Sequence, residues 1–274
     1  MTLQLALDGG TLRSRSTPRQ ARTHEGRLGF RVMTYNIHRA IGMDRRFRPE
    51  RIVEVVASHQ PDLLLLQEVD EGVPRSRELD LARELADMLG FPYWAVGHNV
   101  KLRKGRYGNA TLSRYPILRE RNIDLTIGRW KRRGCQHTAL LLEGPAGRRR
   151  LEVFNLHLGL TARQREAQME LLARSRELAS LSPEAACLIA GDFNDWRSLL
   201  QPHLTRALNF RFATDRARAD LRAIRTFPAF MPRGPLDRIY YRGDLRLLSA
   251  RRSRLRVARI ASDHLPVVAD FELD

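Results

Sequence analysis

The chain alternates short apolar runs with polar or glycine-containing breaks, and this pattern predicts a mixed α/β protein. Continuous apolar runs bounded by proline, glycine or acid are typical of core strands, whereas apolar residues at helical spacing predict helices. Strands are predicted over residues 31–37, 62–66, 93–97, 109–113, 136–143, 150–157, 187–190, 238–241 and 266–271. Helices are predicted from Pro49, over residues 77–90 and from Thr161. Because several strands follow one another directly, two packed sheets with outer helices fit better than a simple βαβ array.

The segment that follows Thr161 has the clearest helical pattern. Thr161 is placed to cap its first turn. One face is predicted to be apolar and buried, and it consists of Ala167, Leu171, Leu178 and Leu181. The opposite face is predicted to remain polar, and it consists of Arg163, Arg165, Glu166 and Arg174.

Length and local composition predict one domain that is preceded by an arm. Residues 1–27 carry five arginines among Ser, Thr, Gly and Pro, a composition typical of a disordered arm, so the folded domain is expected over residues 28–274. No apolar stretch reaches the length of a membrane span or resembles a secretory signal. We therefore expect a monomer located in the cytoplasm. The two cysteines, Cys135 and Cys187, lack metal-site spacing and are expected to be reduced core residues.

The net charge is +17, with a sequence pI near 11.2, which favours a polyanionic partner. Nucleic acid and the headgroups of acidic phospholipids both fit this charge. All but three of the 48 basic residues are arginine. That preference would also result from a biased genome composition, so the net charge carries the inference and the choice of arginine does not.

Acid, amide or imidazole groups end five of the apolar runs. The segments are Thr34-Tyr35-Asn36-Ile37-His38, Leu66-Gln67-Glu68-Val69-Asp70, Asn155-Leu156-His157-Leu158-Gly159, Gly191-Asp192-Phe193-Asn194-Asp195 and Ser262-Asp263-His264. Such groups are unfavourable to bury, so an acid after a core strand is expected at the rim of a sheet. Five endings of this kind indicate one shared, metal-assisted site.

These segments, together with Leu236-Asp237-Arg238-Ile239, resemble the endonuclease/exonuclease/phosphatase superfamily in both residues and order. The resemblance extends from about Arg31 to about Phe271. Within the superfamily, Gly108-Asn109-Ala110-Thr111-Leu112-Ser113-Arg114-Tyr115-Pro116-Ile117 is most similar to the small bacterial YbhP-like proteins. The resemblance implies a four-layer α/β/β/α sandwich of two mixed sheets with outer helices, and a site at one end of the sheets.

The resemblance also implies a site for a hard divalent cation, Mg²⁺ or alternatively Mn²⁺. Glu68 is the first candidate ligand, because Mg²⁺ binds one or two carboxylates together with water and phosphate oxygens. On position alone Glu68 could equally be a surface carboxylate. By resemblance Asn36 lies beside the metal, and Asp263 lies near it.

Four further residues carry the predicted chemistry. Asp192 would orient or deprotonate the attacking water and Asn194 would bind the phosphate, both pointing the same way if the chain stays extended. His264 would stabilise charge on the scissile phosphate. Its partner is by resemblance Asp237, for which a salt bridge with Arg238 is the alternative.

Three more features remain open at this stage. His157 is a second catalytic imidazole by resemblance, and a histidine here is similar to the deoxyribonuclease, sphingomyelinase and deadenylase branches. Asn109 and Arg114 are candidate substrate-binding residues, although Arg114 could equally be a solvated arginine at a strand end. The arginine run, defined as Arg251–Arg259, is expected to form a strand with one basic face that approaches the site.

The predicted function is that of a divalent-metal-dependent phosphodiesterase that hydrolyses nucleic acid by in-line attack of an activated water. The alternative substrate is a phospholipid or another small phosphodiester. A different class of function, a non-catalytic nucleic-acid-binding module, is disfavoured because Glu68, Asp192 and His264 are all present.

Overall fold

The computed structural model describes residues 22–24, 27–144, 147–213 and 223–273. The helices are α1 (Pro49–His59), α2 (Leu81–Leu89), α3 (Ala162–Arg174), α4 (Arg176–Ala179) and α5 (Ala258–Ala261). The strands are β1 (Arg22–His24), β2 (Arg27–Asn36), β3 (Leu63–Glu71), β4 (Tyr93–Lys101), β5 (Arg106–Ser113), β6 (Ile117–Asp124), β7 (Gly134–Gly144), β8 (Gly147–His157), β9 (Cys187–Asp192), β10 (Arg211–Phe212), β11 (Asp237–Arg242), β12 (Leu245–Arg252) and β13 (Val267–Leu273).

These strands form two mixed sheets. Sheet 1 has the order β12-β13-β2-β3-β5-β4, with β1 paired to β2, and sheet 2 has the order β10-β11-β9-β8-β7-β6. In each sheet the central pair is parallel, β2 with β3 and β8 with β9, whereas the flanking pairs are antiparallel. Parallel neighbouring strands end at the same edge of a sheet. The ends of several strands therefore lie along one edge of each sheet.

Three apolar clusters separate four layers. One lies between α1, α2, α5 and sheet 1, with Ile52, Leu85 and Leu64 among its members. The second fills the space between the sheets, and the third packs sheet 2 against α3 and α4. Both cysteines are buried and free. The predicted α/β/β/α sandwich is therefore confirmed.

Local capping sets the helix bounds. The predicted helix over residues 77–90 begins later, at Leu81, because the Asp80 side chain accepts the backbone N–H of Arg83 at 3.2 Å. It ends at Gly90, which has φ +66° and so suits the left-handed position that closes the helix. The predicted cap at Thr161 is confirmed, since its hydroxyl accepts the N–H of Gln164 at 3.3 Å.

The predicted strand over the arginine run is wrong beyond Arg252. β12 ends there, and the chain passes through a loop into α5. The Ser253 hydroxyl accepts the N–H of Leu255 at 3.3 Å and contacts His59 at 2.9 Å. Such a local side-chain bond competes with continued strand pairing, and Leu255 then packs on the cluster beside α1.

The predicted arm lies mostly outside the described residues. Its last part, Arg22–His24, pairs with the start of β2, so the boundary predicted at residue 28 falls inside a hairpin. Within the part of the chain that the structure describes, no helix is both long enough and apolar enough to cross a membrane.

Candidate active site

Strand ends from both sheets meet at one edge of the sandwich. In sheet 2 the parallel register places His157, the last residue of β8, beside Asp192, the last of β9. Asp237 opens β11 directly opposite Asp192. In sheet 1 the end of β2, at Asn36, pairs with Gln67 of β3. The predicted convergence of these segments thus follows from strand direction alone.

Two backbone irregularities shape the edge of the sandwich at which these strand ends meet. The β3–β5 register shifts between Leu66 and Val69, and Glu68 in this bulge has φ +60°. A bulge re-aims one side chain relative to the regular alternation, which turns Glu68 toward the cleft. Gly191 has φ +139°, and a Cβ at this position would lie 1.9 Å from the Leu156 carbonyl oxygen. Only glycine therefore allows β9 to approach β8 immediately before Asp192.

Asp192 is the hub of the polar contacts. Its carboxylate accepts the Asn36 side-chain amide at 3.0 Å and the Asn194 backbone N–H at 3.0 Å. The Nε2 atoms of His157 and His264 lie 3.5 and 3.7 Å from its Oδ2. Burial, which the nearby His264 only partly offsets, raises the pKa of Asp192 to about 6.

The two imidazoles carry different charges. His264 Nδ1 lies 2.8 Å from Asp237 Oδ2, both groups being buried. Burial alone would lower the pKa of His264, but the carboxylates of Asp237 and Asp192 outweigh it and raise the pKa to about 10. Burial and the positive charges of Arg133, His264 and Lys131 hold the pKa of His157 well below its ordinary value. At neutral pH His264 is therefore cationic and His157 neutral.

Asn194 reaches the site by a turn and not by an extended strand. Its φ is +51°, and its side-chain amide donates to the Leu158 carbonyl at 3.0 Å. The extended geometry predicted for Asp192 and Asn194 is thus wrong, because the Asp192 carboxylate accepts the Asn194 N–H and closes a local turn. Both residues nevertheless line the same cleft, and Phe193 points into the core as predicted.

The cleft in front of these groups has a volume of about 510 Å³. Of the predicted site residues it is lined by Asn36, Glu68, His157, Asp192, Asn194, Asp263 and His264. It is also lined by residues outside the predicted site: Trp130, Lys131, Arg133, Gly159, Leu160, Thr161, Gln164, Trp196, Phe227 and Leu236. The basic triplet Lys131-Arg132-Arg133, just ahead of a predicted strand, was the available signal for this part of the wall.

Oxygen atoms suited to a hard cation lie on the sheet 1 side of the cleft. Glu68 Oε2 is buried and has no hydrogen-bond partner among the described residues, and its closest cation is Arg39 Nε at 3.4 Å. Asn36 Oδ1 accepts one backbone N–H, from His38 at 3.1 Å, which leaves its second lone pair free. With the half-buried Asp263 these carboxylate and amide oxygens fit the donor set that Mg²⁺ or Mn²⁺ prefers.

A second set of ligand atoms is closer together. Among the described residues, ligand atoms of Asp192, Asp237 and His264 all lie within 4.8 Å of one another. This set differs from the predicted set of Glu68, Asn36 and Asp263. His264 Nδ1 is already hydrogen-bonded to Asp237, and a metal can bind an imidazole nitrogen only after its proton is lost.

Two predicted substrate-binding residues do not line the cleft. Asn109 is buried, and its amide donates to the carbonyls of Gly134 and Asn155, at 3.1 and 3.0 Å, which ties sheet 1 to sheet 2. Arg114 follows the far end of β5, roughly 17 Å along the strand from the level of Glu68. Its guanidinium stacks on Phe91, 4.9 Å from the ring centroid, so the structure does not bring Arg114 to the cleft.

The alternative salt bridge between Asp237 and Arg238 does not form. Adjacent strand residues face opposite sides, and Arg238 donates to the carbonyls of Pro235 and Asp195 on the other face. The arginine run also stays outside the cleft lining. Arg251 instead pairs with Asp270 at 3.0 Å.

Comparison with known proteins identifies the family. The sequence profile of the Endonuclease/Exonuclease/phosphatase family matches residues 33–264. "Uncharacterized protein YbhP" of Escherichia coli (strain K12) is 32% identical over 260 residues, which cover 90% of this chain and 97% of that protein. This chain belongs to the endonuclease/exonuclease/phosphatase family. The predicted resemblance to the superfamily and to YbhP-like proteins is confirmed.

Solved structures of other proteins share the fold. An endonuclease/exonuclease/phosphatase from Beutenbergia cavernae DSM 12333 superposes with a TM-score of 0.73 at 21% identity, covering 89% of this chain and 72% of that chain. Truncated Caenorhabditis elegans TDP2 gives a TM-score of 0.65 at 22% identity, covering 89% and 97%. The chain thus has the phosphoesterase fold of a superfamily that depends on divalent metals.

Proposed function

We propose that this family member is a divalent-metal-dependent phosphodiesterase that hydrolyses nucleic acid. The supporting observation is that side chains with different chemical properties face one cleft. A cationic His264 paired with Asp237 and a neutral His157 both face Asp192, and an unpartnered Glu68 oxygen lies in the same cleft. Groups with different charge at neutral pH, held around one carboxylate, suit attack by water on an anionic phosphate.

Each residue then has one role. Asp192 accepts a proton from the attacking water or orients it, and its raised pKa brings its basicity closer to neutral pH. His264 places a positive charge where the phosphate becomes more negative, and Asp237 keeps this imidazole charged and oriented. His157 and Asn194 bind phosphate oxygens, the neutral side chains adding no charge that would repel the anion.

Glu68, Asn36 and Asp263 would hold the divalent cation. Mg²⁺ or Mn²⁺ held by these residues would supply charge neutralisation and Lewis-acid polarisation of the phosphate. We prefer this set to Asp192, Asp237 and His264 because a cationic His264 would have to lose a proton before either ring nitrogen could bind a cation. Such a cation would also occupy the carboxylate proposed as the base.

The test is a hydrolysis screen with plasmid DNA, RNA, anionic phospholipid vesicles and bis(p-nitrophenyl) phosphate, with Mg²⁺, with Mn²⁺ and in excess chelator. Turnover should require the metal and should fall by a factor of about a hundred or more in Asp192→Asn. Glu68→Gln should shift metal activation to much higher metal concentration. Glu143→Gln, an exposed acid on β7, is the matched control and should behave as wild type.

Full turnover by metal-free protein would contradict the metal site. Metal-dependent binding of DNA or RNA without turnover of any substrate would instead support the non-catalytic binding module.

One observation favours a phospholipid as the second candidate substrate. Apolar side chains at the mouth of the cleft are unusually exposed, with Trp130, Leu160 and Trp196 at 60, 73 and 50%. Such a rim could contact the acyl region next to a lipid headgroup. Turnover of vesicles with none of DNA or RNA would favour this reading.

A further inference from the structure

Lys131 and Arg133 form a positive wall in the cleft, and among the described residues neither of them makes a salt bridge. Within the described ranges, neither side chain lies within 4.0 Å of a carboxylate or donates a hydrogen bond to another residue. Arg133 is only 5% exposed, and its Nε is buried without an acceptor. Both residues line the cleft.

Other buried arginines have a partner for at least part of the guanidinium, although Nε of Arg165 and Nε of Arg242 also lack an acceptor among the described residues. Arg165, Arg238 and Arg242 each donate to at least one backbone carbonyl, at 2.7, 3.0 and 3.3 Å. Arg165 and Arg238 also lie 3.8 Å from Asp195. Burying a guanidinium without a partner is strongly unfavourable. The exception at Arg133 therefore points to an anion that comes from outside the protein.

The backbone fixes the position of Arg133. The Leu125 N–H donates to its carbonyl at 2.9 Å, and its own N–H donates to the Thr126 hydroxyl at 3.3 Å. β7 pairs with β8 so that Cys135 lies opposite Leu156, which puts Arg133 just beyond the level of His157. Asp192 is one strand further on, so the backbones of Arg133 and Asp192 are roughly 10 Å apart.

The separation between the backbones of Arg133 and Asp192 suits a substrate group that is bonded next to the reacting phosphate. Lys131 stands beside Arg133, with its ammonium 5.5 Å from the Tyr107 ring centroid. We propose that Lys131 and Arg133 form a subsite for a second phosphate of the substrate, adjacent to the phosphate that is hydrolysed. The inference rests on the proposed function and narrows it to substrates with at least two neighbouring phosphates, as in a polynucleotide.

Two chromogenic substrates that differ by one phosphate test the subsite. They are the p-nitrophenyl ester of thymidine 5′-monophosphate and the same ester with an added 3′-phosphate, assayed with Mg²⁺ or Mn²⁺. Wild type should favour the second by about tenfold or more in kcat/KM, the range expected for charge-assisted hydrogen bonds. In Arg133→Gln this ratio should fall to about one. Arg132→Gln, an exposed neighbour, should keep the wild-type ratio.

A binding experiment distinguishes failure of the subsite proposal from failure of the proposed function. Calorimetry should show that thymidine 3′,5′-bisphosphate binds wild type at least tenfold tighter than thymidine 5′-monophosphate, and Arg133→Gln should lose this difference. Preferential binding without turnover of either ester would retain the subsite and reject the hydrolase. Equal binding and equal turnover of the paired compounds by wild type would overturn the subsite.

Thermal unfolding provides a further control on Arg133. If the guanidinium serves a ligand, its removal relieves an unpaired buried charge, so Arg133→Gln should unfold at the same temperature as wild type or higher. A substantially lower unfolding temperature, together with an unchanged substrate ratio, would show a structural residue and overturn the proposal.

Discussion

Replacing Asn155 by leucine should destabilise the fold strongly, because its amide joins the two sheets directly beneath the cleft. Asn155 is fully buried on β8 of sheet 2, and all three partners of its side chain belong to sheet 1. Its Nδ2 donates to the carbonyls of Leu66 and Ala110, at 3.1 and 2.9 Å. Its Oδ1 accepts the side-chain amide of Gln67 at 2.7 Å.

Asn155→Leu keeps a similar volume and removes all three bonds. Each bond contributes about 1 kcal/mol net, and buried groups left without a partner cost about 1–3 kcal/mol each. Gln67 retains other acceptors, at Thr34 and Leu65, so the two carbonyls carry most of the penalty. We therefore expect a loss of about 3–5 kcal/mol, a large part of the 5–15 kcal/mol typical of a domain.

Urea unfolding measures this loss. With a slope of about 3 kcal/mol per M, the midpoint should fall by roughly 1–1.7 M while the slope stays unchanged. Asn122→Leu is the matched control, because this exposed asparagine also donates to a carbonyl, that of His98, at 2.9 Å. It should lose less than about 1 kcal/mol. A loss below about 1 kcal/mol in Asn155→Leu as well would refute the role of the buried amide.

Three other predictions follow from the structure. Asp237→Asn should reduce turnover through His264, so adding it to His264→Ala should cost little more than His264→Ala alone, whereas additive losses would break the pair. Burial opposes ionisation of Asp270, but its arginine and serine donors hold its pKa below the ordinary value, so its stabilising effect is present at neutral pH and lost on acidification. Thermal unfolding of Asp270→Asn should therefore differ from wild type at pH 7, and the difference should begin to shrink near pH 4 and close only below the lowered pKa of Asp270. Arg254→Gln with Arg256→Gln, both outside the cleft, should leave the salt dependence of nucleic-acid hydrolysis unchanged, and a flatter dependence would return the arginine run to the binding surface.

The sheets could be predicted because their central strands are buried on both faces. The runs at Leu63–Leu66 and Cys187–Ala190 are apolar throughout, and every residue in them is buried. A run of that kind leaves few alternatives to a core strand, and an acid directly after it must lie at the rim. The candidate site was predictable for the same reason, since Glu68 and Asp192 each follow such a run.

Features that depend on tertiary packing could not be predicted in this way. The face of α3 was predicted on the assumption of one continuous helix, but the helix breaks at Ser175, whose hydroxyl caps α4. Within α3 the buried residues are Arg165, Gln168, Met169 and Leu172, so Leu171 is exposed while Met169 packs on the core. Arg165, predicted to be polar surface, is buried because a carbonyl partner lies across the loop at Leu160. The periodicity of apolar residues in the sequence cannot predict contacts of that kind.

The position of the cleft between two sheets explains why a buried polar layer lies beneath it. Apolar packing between sheets is non-directional and would allow one sheet to slide relative to the other. Hydrogen bonds have strict geometry, and those of Asn155 lie next to Glu68 in sheet 1 and two residues from His157 in sheet 2. The Asn36–Asp192 bond, at 3.0 Å, crosses the same junction within the cleft. Directional bonds therefore fix the spacing between the proposed metal ligands and the proposed base, which apolar contacts alone would leave variable.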